Sequence, residues 1–179
     1  MQIGVLALQG AVSEHEISIS KLGLKCIAVR NCEDLSNLSG LVMPGGESTT
    51  LRKLLKNTGL WEMLDQTTIP IMGTCAGAIL IGNCGEENLG KMDIEINRNY
   101  YGRQKESFQK QITVKGKDDF DGVFIRAPAI TRLGDNVEAI AWENGQIVGC
   151  TEGRNMALTF HPELTDDLSF HKMWLEMLS

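Results

Sequence analysis

The chain has 179 residues, 42% of them hydrophobic and 22% charged, with 17 Lys and Arg against 23 Asp and Glu. That length and polarity suit one globular domain over residues 1–179 with a core of its own, and the formal net charge of −6 argues against a nucleic-acid or anionic-membrane surface. No apolar stretch approaches the ~18 residues needed to cross a bilayer. The five cysteines are odd in number, form no C-x-x-C pair and read as reduced, cytoplasmic thiols. The three histidines show no zinc-ligand spacing to a cysteine, so no metal site is expected.

In chain order, Ile3 to Leu8 (IGVLAL) is a continuous apolar run, the pattern of a strand buried on both faces of a parallel sheet, and is read as a first strand, not a signal peptide. A helical stretch follows with Val12, His15, Ile19 and Leu22 on one face. His15 reads as a packed or interface residue. Leu24 to Val29 is a second strand and Gly40 to Met43 a third, stopped by Pro44-Gly45-Gly46. Ser48 or Thr49 is placed to cap the next helix, which carries Leu51, Leu54 and Leu55. Ile69 to Met72 is a fourth strand, and a helix starts at Ala76. This alternation predicts an α/β fold with a doubly wound, mostly parallel sheet flanked by helices, with ligands at the carboxyl ends of the strands. In the second half, short β-like segments recur around Met92–Ile96, Gln111–Val114, Val123–Ile125, Val137–Trp142, Ile147–Cys150 and Met156–Phe160. The chain closes with a helix whose stripe is Phe170, Met173, Trp174, Met177 and Leu178, with His171 beside it and read as solvated.

Gly73-Thr74-Cys75-Ala76-Gly77 has the G-x-nucleophile-x-G form of a strand-to-helix elbow. The helix start favours a thiolate, and the Ala76 N–H is placed to stabilise an oxyanion. Taken alone, the pattern equally suits a small packed thiol. Thr159-Phe160-His161-Pro162-Glu163 supplies a base and a group to orient it. Pro162 biases His161 toward extended geometry, in which residues two apart face the same side. Joined to the elbow, this makes a Cys75–His161–Glu163 triad the leading reading. The loop Pro44-Gly45-Gly46-Glu47-Ser48-Thr49 opens a helix and offers N–H groups, with Gly46 a plausible second oxyanion donor. It lacks the lysine of a P-loop, so nucleotide binding falls behind.

The segments LALQGAVSEHE (6 to 16), PGGESTT (44 to 50), GTCAG (73 to 77), RNYYGRQKESF (98 to 108), FIRAP (124 to 128) and FHPELT (160 to 165) together resemble the class I, triad-type glutamine amidotransferases, and more narrowly the glutaminase subunits of pyridoxal 5′-phosphate synthases. The resemblance implies a flavodoxin-like amidotransferase fold and hydrolysis of L-glutamine to L-glutamate and ammonia. Cys75 would be the nucleophile, His161 the base and acid, and Glu163 its orienting partner. Gly46 and Ala76 would form the oxyanion hole. Gly46, Glu47, Ser48, Arg103, Ile125 and Arg126 would surround the substrate. The ammonia would pass to a separate synthase subunit, with no cofactor on this chain. The sequence departs from the family at Tyr100-Tyr101, at Gln109 and in a short stretch between Ile81 and Arg98. Two rival readings remain: an amidotransferase serving another synthase, which would usually carry Gln where Ile79 stands, and a non-catalytic module, which would tend to lose part of the triad. A cysteine peptidase or redox protein would leave the H-P-E element and the Gly45-Gly46 loop without purpose.

Overall fold

The computed structural model describes residues 1–98, 100 and 107–179. Tyr101 and Arg103, both singled out from the sequence, lie outside the described residues. The first half alternates strand and helix: β1 (Gln2–Leu6), α1 (Val12–Lys21), β2 (Lys25–Val29), β3 (Gly40–Met43), α2 (Ser48–Asn57), α3 (Leu60–Gln66), β4 (Ile71–Thr74) and α4 (Ala76–Ile81). The second half is mainly strand: β5 (Ile94–Asn97), β6 (Ser107–Val114), β7 (Phe120–Ile125), β8 (Ala129–Leu133), β9 (Glu138–Glu143), β10 (Gln146–Glu152) and β11 (Asn155–Leu158), with α5 (Ser169–Met177) closing the chain.

Nine of these strands form one sheet in the order β2-β1-β3-β4-β11-β10-β9-β6-β7, and β5 pairs with β8 apart from it. From β2 to β11 the pairings are parallel, and from β11 onward they are antiparallel. The return of β11 to the centre of the parallel region matters most for the site. It lies beside β4, so the segment after β11 emerges next to the segment after β4.

Alternation along the strands divides the core in two. Leu6, Leu41, Met43 and Ile71 face one side and pack with Leu51 and Leu55 of α2, Leu60 and Trp61 of α3, and Ile79 of α4. Ile3, Val5, Val42 and Met72 face the other and pack with Ile19 of α1 and with Phe170 and Trp174 of α5. Burial on both faces explains why these strands read as unbroken apolar runs rather than alternating ones.

The structure differs from the sequence expectations in several places. Strand β8 and helix α3 were not anticipated: α3 is seven residues long, starting after a left-handed Gly59, and β8 is five, so neither carries a long periodic signal. The cap of α2 is neither Ser48 nor Thr49 but Glu47, whose carboxylate accepts from the N–H groups of Thr49 at 2.9 Å and Thr50 at 2.7 Å. His171 is buried, at 1% exposure, because α5 turns Phe170, His171, Trp174 and Leu175 inward. Among the described residues no helix is long and apolar enough to cross a membrane.

Candidate active site

Cys75 stands between β4 and α4 with φ 48° and ψ −104°, a conformation that a non-glycine residue holds only when its surroundings impose it. The imposition is visible. Its N–H donates to the carbonyl of Leu158, the last residue of β11, at 2.8 Å. The two glycines of the motif let backbone meet backbone: a Cβ on Gly77 would lie 1.9 Å from the carbonyl oxygen of Met43, and one on Gly73 would lie 2.7 Å from the carbonyl carbon of Gly77. Helix α4 runs only six residues before Gly82 ends it, so the field at the thiol comes from first-turn N–H groups, not from a long helix dipole. The thiol is 6% exposed, and its Sγ donates weakly to the carbonyl of Ile125 at 3.7 Å.

His161 and Glu163 follow β11 directly. The N–H of His161 donates to the carbonyl of Val123 in β7 at 2.8 Å. Nδ1 of the ring lies 2.6 Å from Oε1 of Glu163, and both side chains are buried. Their meeting does not come from an extended chain, as the proline suggested. Pro162–Leu164 forms a short 3-10 helix with His161 as its N-cap, and that turn folds Glu163 back toward the imidazole. The carboxylate receives the Nδ1 proton, which leaves Nε2, buried and without a hydrogen-bond partner among the described residues, on the side away from Glu163. Burial works to lower the imidazole's pKa, but the Cys75 thiol and the Glu163 carboxylate outweigh it and raise the pKa to about 10. A Cβ on Gly45 would lie 2.3 Å from Cε1 of His161 and 3.1 Å from Cβ of Cys75, so the absence of a side chain there lets the two approach.

A cavity of about 850 Å³ opens over this group. Its lining includes Gly46, Glu47, Ser48, Cys75, Ile125, Arg126 and His161. Of the other expected site residues, Ala76 follows Cys75 in the chain, Glu163 reaches the site through its contact with His161, and Arg103 lies outside the described residues. Glu47 is committed by its side chain to capping α2. Partial burial opposes its ionisation, but the hydrogen bonds from Thr50 and Thr49 bring its pKa down to about 2. Its carbonyl oxygen accepts from Nε2 of Gln9 at 3.1 Å. Arg126 has φ 44°, a second strained residue at the rim.

Arg98 and Glu14 line the same cavity and were not assigned to the site from sequence. Arg98 donates to Oε1 of Glu86 at 2.7 Å and to Oγ1 of Thr49 at 3.2 Å, so it ties the segment after β5 to the start of α2. It opens the RNYYGRQKESF segment, but its residue type alone carried no signal to distinguish it from a surface arginine. Among the described residues no cluster of His, Cys, Asp and Glu is suited to a metal ion.

The chain as a whole has close parallels among known proteins. The pyridoxal 5′-phosphate synthase subunit PdxT of Geobacillus thermodenitrificans is 47% identical over 99% of this chain and 95% of its own length. The subunit of the same name from Haemophilus ducreyi is 51% identical over 92% of this chain and 90% of its own. A crystal structure of a glutamine amidotransferase superposes with a TM-score of 0.89 at 39% identity, covering 98% of both chains. Residues 5–179 match the SNO glutamine amidotransferase family. The chain belongs to that family.

Proposed function

We propose that Cys75, His161 and Glu163 carry the glutaminase reaction by which this amidotransferase supplies ammonia to the synthase subunit that makes pyridoxal 5′-phosphate. The observation that supports this assignment best is the 2.6 Å Nδ1–Oε1 contact of His161 with Glu163, in a ring whose protonated form is also favoured by the Cys75 thiol.

In this reading, Nε2 of His161 already carries the proton taken from Cys75, an imidazolium beside a thiolate, and Cys75 Sγ attacks the side-chain carboxamide carbon of L-glutamine. The N–H groups of Gly46 and Ala76 receive the negative charge that develops on the carboxamide oxygen. His161 then returns the proton to the leaving nitrogen, the C–N bond breaks, and ammonia departs from a glutamyl thioester. A water molecule, deprotonated by the same imidazole, attacks the thioester and releases L-glutamate and the thiol. Glu163 keeps Nδ1 protonated throughout, which fixes Nε2 as the atom that accepts and donates. Gly46, Glu47, Ser48, Ile125, Arg126 and Arg103 form the substrate-binding surface. An arginine suits the substrate's α-carboxylate because it binds such a group bidentately.

The reading takes residues 1–179 as one amidotransferase domain working in the cytoplasm, consistent with five free cysteines. The experiment is glutamate production from L-glutamine by the chain, with and without the synthase subunit. Cys75→Ala is expected to abolish turnover while leaving the fold and the complex intact. Substantial residual turnover in that variant overturns the nucleophile assignment.

A further inference from the structure

Glu163 has two carboxylate oxygens, and the triad uses one. Oε2 is fully buried and has no hydrogen-bond partner among the described residues, and Nε2 of His15, a residue of α1 with 0% exposure, lies 3.3 Å from it. The same Nε2 is 3.1 Å from Oγ1 of Thr74, the residue before the nucleophile. The other ring nitrogen of His15, Nδ1, is 2.9 Å from Nε2 of His171 on α5. Oγ1 of Thr74 in turn accepts the N–H of Gly45, the residue before the proposed oxyanion donor Gly46. His15 therefore touches both the carboxylate that orients the base and the threonine that holds the oxyanion loop.

The proton positions follow from charge. A bare Nε2 lone pair facing the Glu163 carboxylate would be repulsive, whereas an Nε2–H there is attracted to both Oε2 and Thr74 Oγ1. With Nε2 protonated, Nδ1 accepts from the Nε2–H of His171. That leaves Nδ1 of His171 as a bare lone pair, in keeping with a buried atom that has no partner among the described residues. The opposite arrangement would bury an orphaned N–H, the costlier defect.

We propose that His15 is a positioning residue for the glutaminase reaction, donating its Nε2–H to Thr74 Oγ1 and presenting the same N–H dipole to the unpartnered Glu163 Oε2, so that the carboxylate and the Gly45-Gly46 loop keep the geometry that His161 and Cys75 need. The proposal rests on the triad assignment above. At 3.3 Å the approach to Oε2 is electrostatic and not a formed hydrogen bond, which leaves the N–H to Thr74. Burial, with further contributions from His171 and His161, lowers the pKa of His15 well below its ordinary value, so the ring is a neutral donor. A charged ring would draw Glu163 into its own ion pair and away from His161. A neutral one orients the carboxylate and leaves its charge to the imidazole it serves.

The test compares His15→Gln, whose amide nitrogen reaches roughly where Nε2 lies, with His15→Asn, whose amide stops near Nδ1. Both are assayed for glutaminase turnover in complex with the synthase subunit, beside Cys75→Ala. We expect Gln to stay within about 3-fold of wild type and Asn to lose about 10- to 100-fold in kcat, with KM within about 2-fold. The pH midpoint of Cys75 alkylation by iodoacetamide should move upward in Asn and not in Gln, a change that a merely looser core would not produce. Equal kcat in the two variants, or an unmoved midpoint in Asn, overturns the role of His15. Activity in Cys75→Ala would instead overturn the triad on which it rests. Should both His15 variants unfold, the ring nitrogens of His15 in the wild-type protein decide by 15N NMR: Nε2 protonated supports the proposal, and Nδ1 protonated overturns it.

Discussion

Strands β3 and β4 are buried at every position, whereas β6 exposes most of its residues and buries only Ile112 and Val114. The two ends of the sheet contribute to the site accordingly. At the parallel end, β4 and β11 lie side by side and deliver Cys75 and His161 from adjacent strand ends, held by backbone contacts with no slack. At the antiparallel end, β7 contributes two carbonyls, those of Val123 and Ile125, as a wall against which His161 and Cys75 rest. The proposed triad thus sits where neither face of the sheet can yield, and the antiparallel end adds one wall of the cavity. Loss of orientation should be costly at the first and mild at the second.

The sharpest way to break this contrast is at the base. Glu163→Gln leaves the shape of the site but removes the charge and the tautomer control on His161, and turnover is expected to fall by about 10²- to 10⁴-fold. Steady-state kinetics with the synthase present checks it, and wild-type activity would remove Glu163 from the mechanism. Next in size is a pair of glycine substitutions. Gly77→Ala places a Cβ against the Met43 carbonyl oxygen at 1.9 Å, where only backbone movement can make room, and should cost about 3 kcal/mol or more in denaturant unfolding. Gly122→Ala in β7 meets Cδ1 of the buried Ile112 at 2.2 Å and its Cγ1 at 2.9 Å, side-chain atoms that can shift where a backbone carbonyl cannot, and should cost about 1–3 kcal/mol, less than Gly77→Ala. Equal costs would mean that the two ends of the sheet are equally tolerant.

The most gradual effect is the slope of stability with pH. The pKa of His171 is lowered to about 4 by burial and that of His15 is lowered as well, so the unfolded chain takes up protons on these rings before the folded one does. Stability should fall as pH drops below ~6.5, by up to about 1.4 kcal/mol per pH unit for each ring. His161 works in the opposite sense. Its pKa is raised to about 10, so its contribution is complete below ~6.5 and is lost as pH rises toward 10. Unfolding free energies measured across this range should therefore peak near pH 6.5. Replacing His171 with Phe should flatten the acid side, and an unchanged acid slope in that variant would mean that His171 does not titrate with folding.

The elbow was legible because its requirements are local. A tight strand-to-helix turn needs small residues on both sides of Cys75, and Gly73 and Gly77 stand within two positions of it. The pairing of His161 with Glu163 was legible for the same reason, although the route was misread: the chain turns through a 3-10 helix instead of extending. Glu47 escaped as a cap because its longer side chain reaches back to N–H groups that Ser or Thr would normally cover. His15 and His171 could not be read at all as a pair. They are separated by 156 positions, and a histidine on an apolar helix face looks the same whether it packs or holds a carboxylate.

The order of apolar runs, the glycine spacing and the H-P-E element thus determined an α/β fold, a strand-to-helix elbow at Cys75 and a histidine paired with a carboxylate, since each depends on residues close in the chain. The tertiary structure alone decided that β11 returns beside β4, bringing Cys75 and His161 together. It also decided that α1 and α5 close over Glu163 with two neutral histidines. Strand order and helix docking are settled by which surfaces exclude water together across the whole molecule, and no local window of sequence contains that sum.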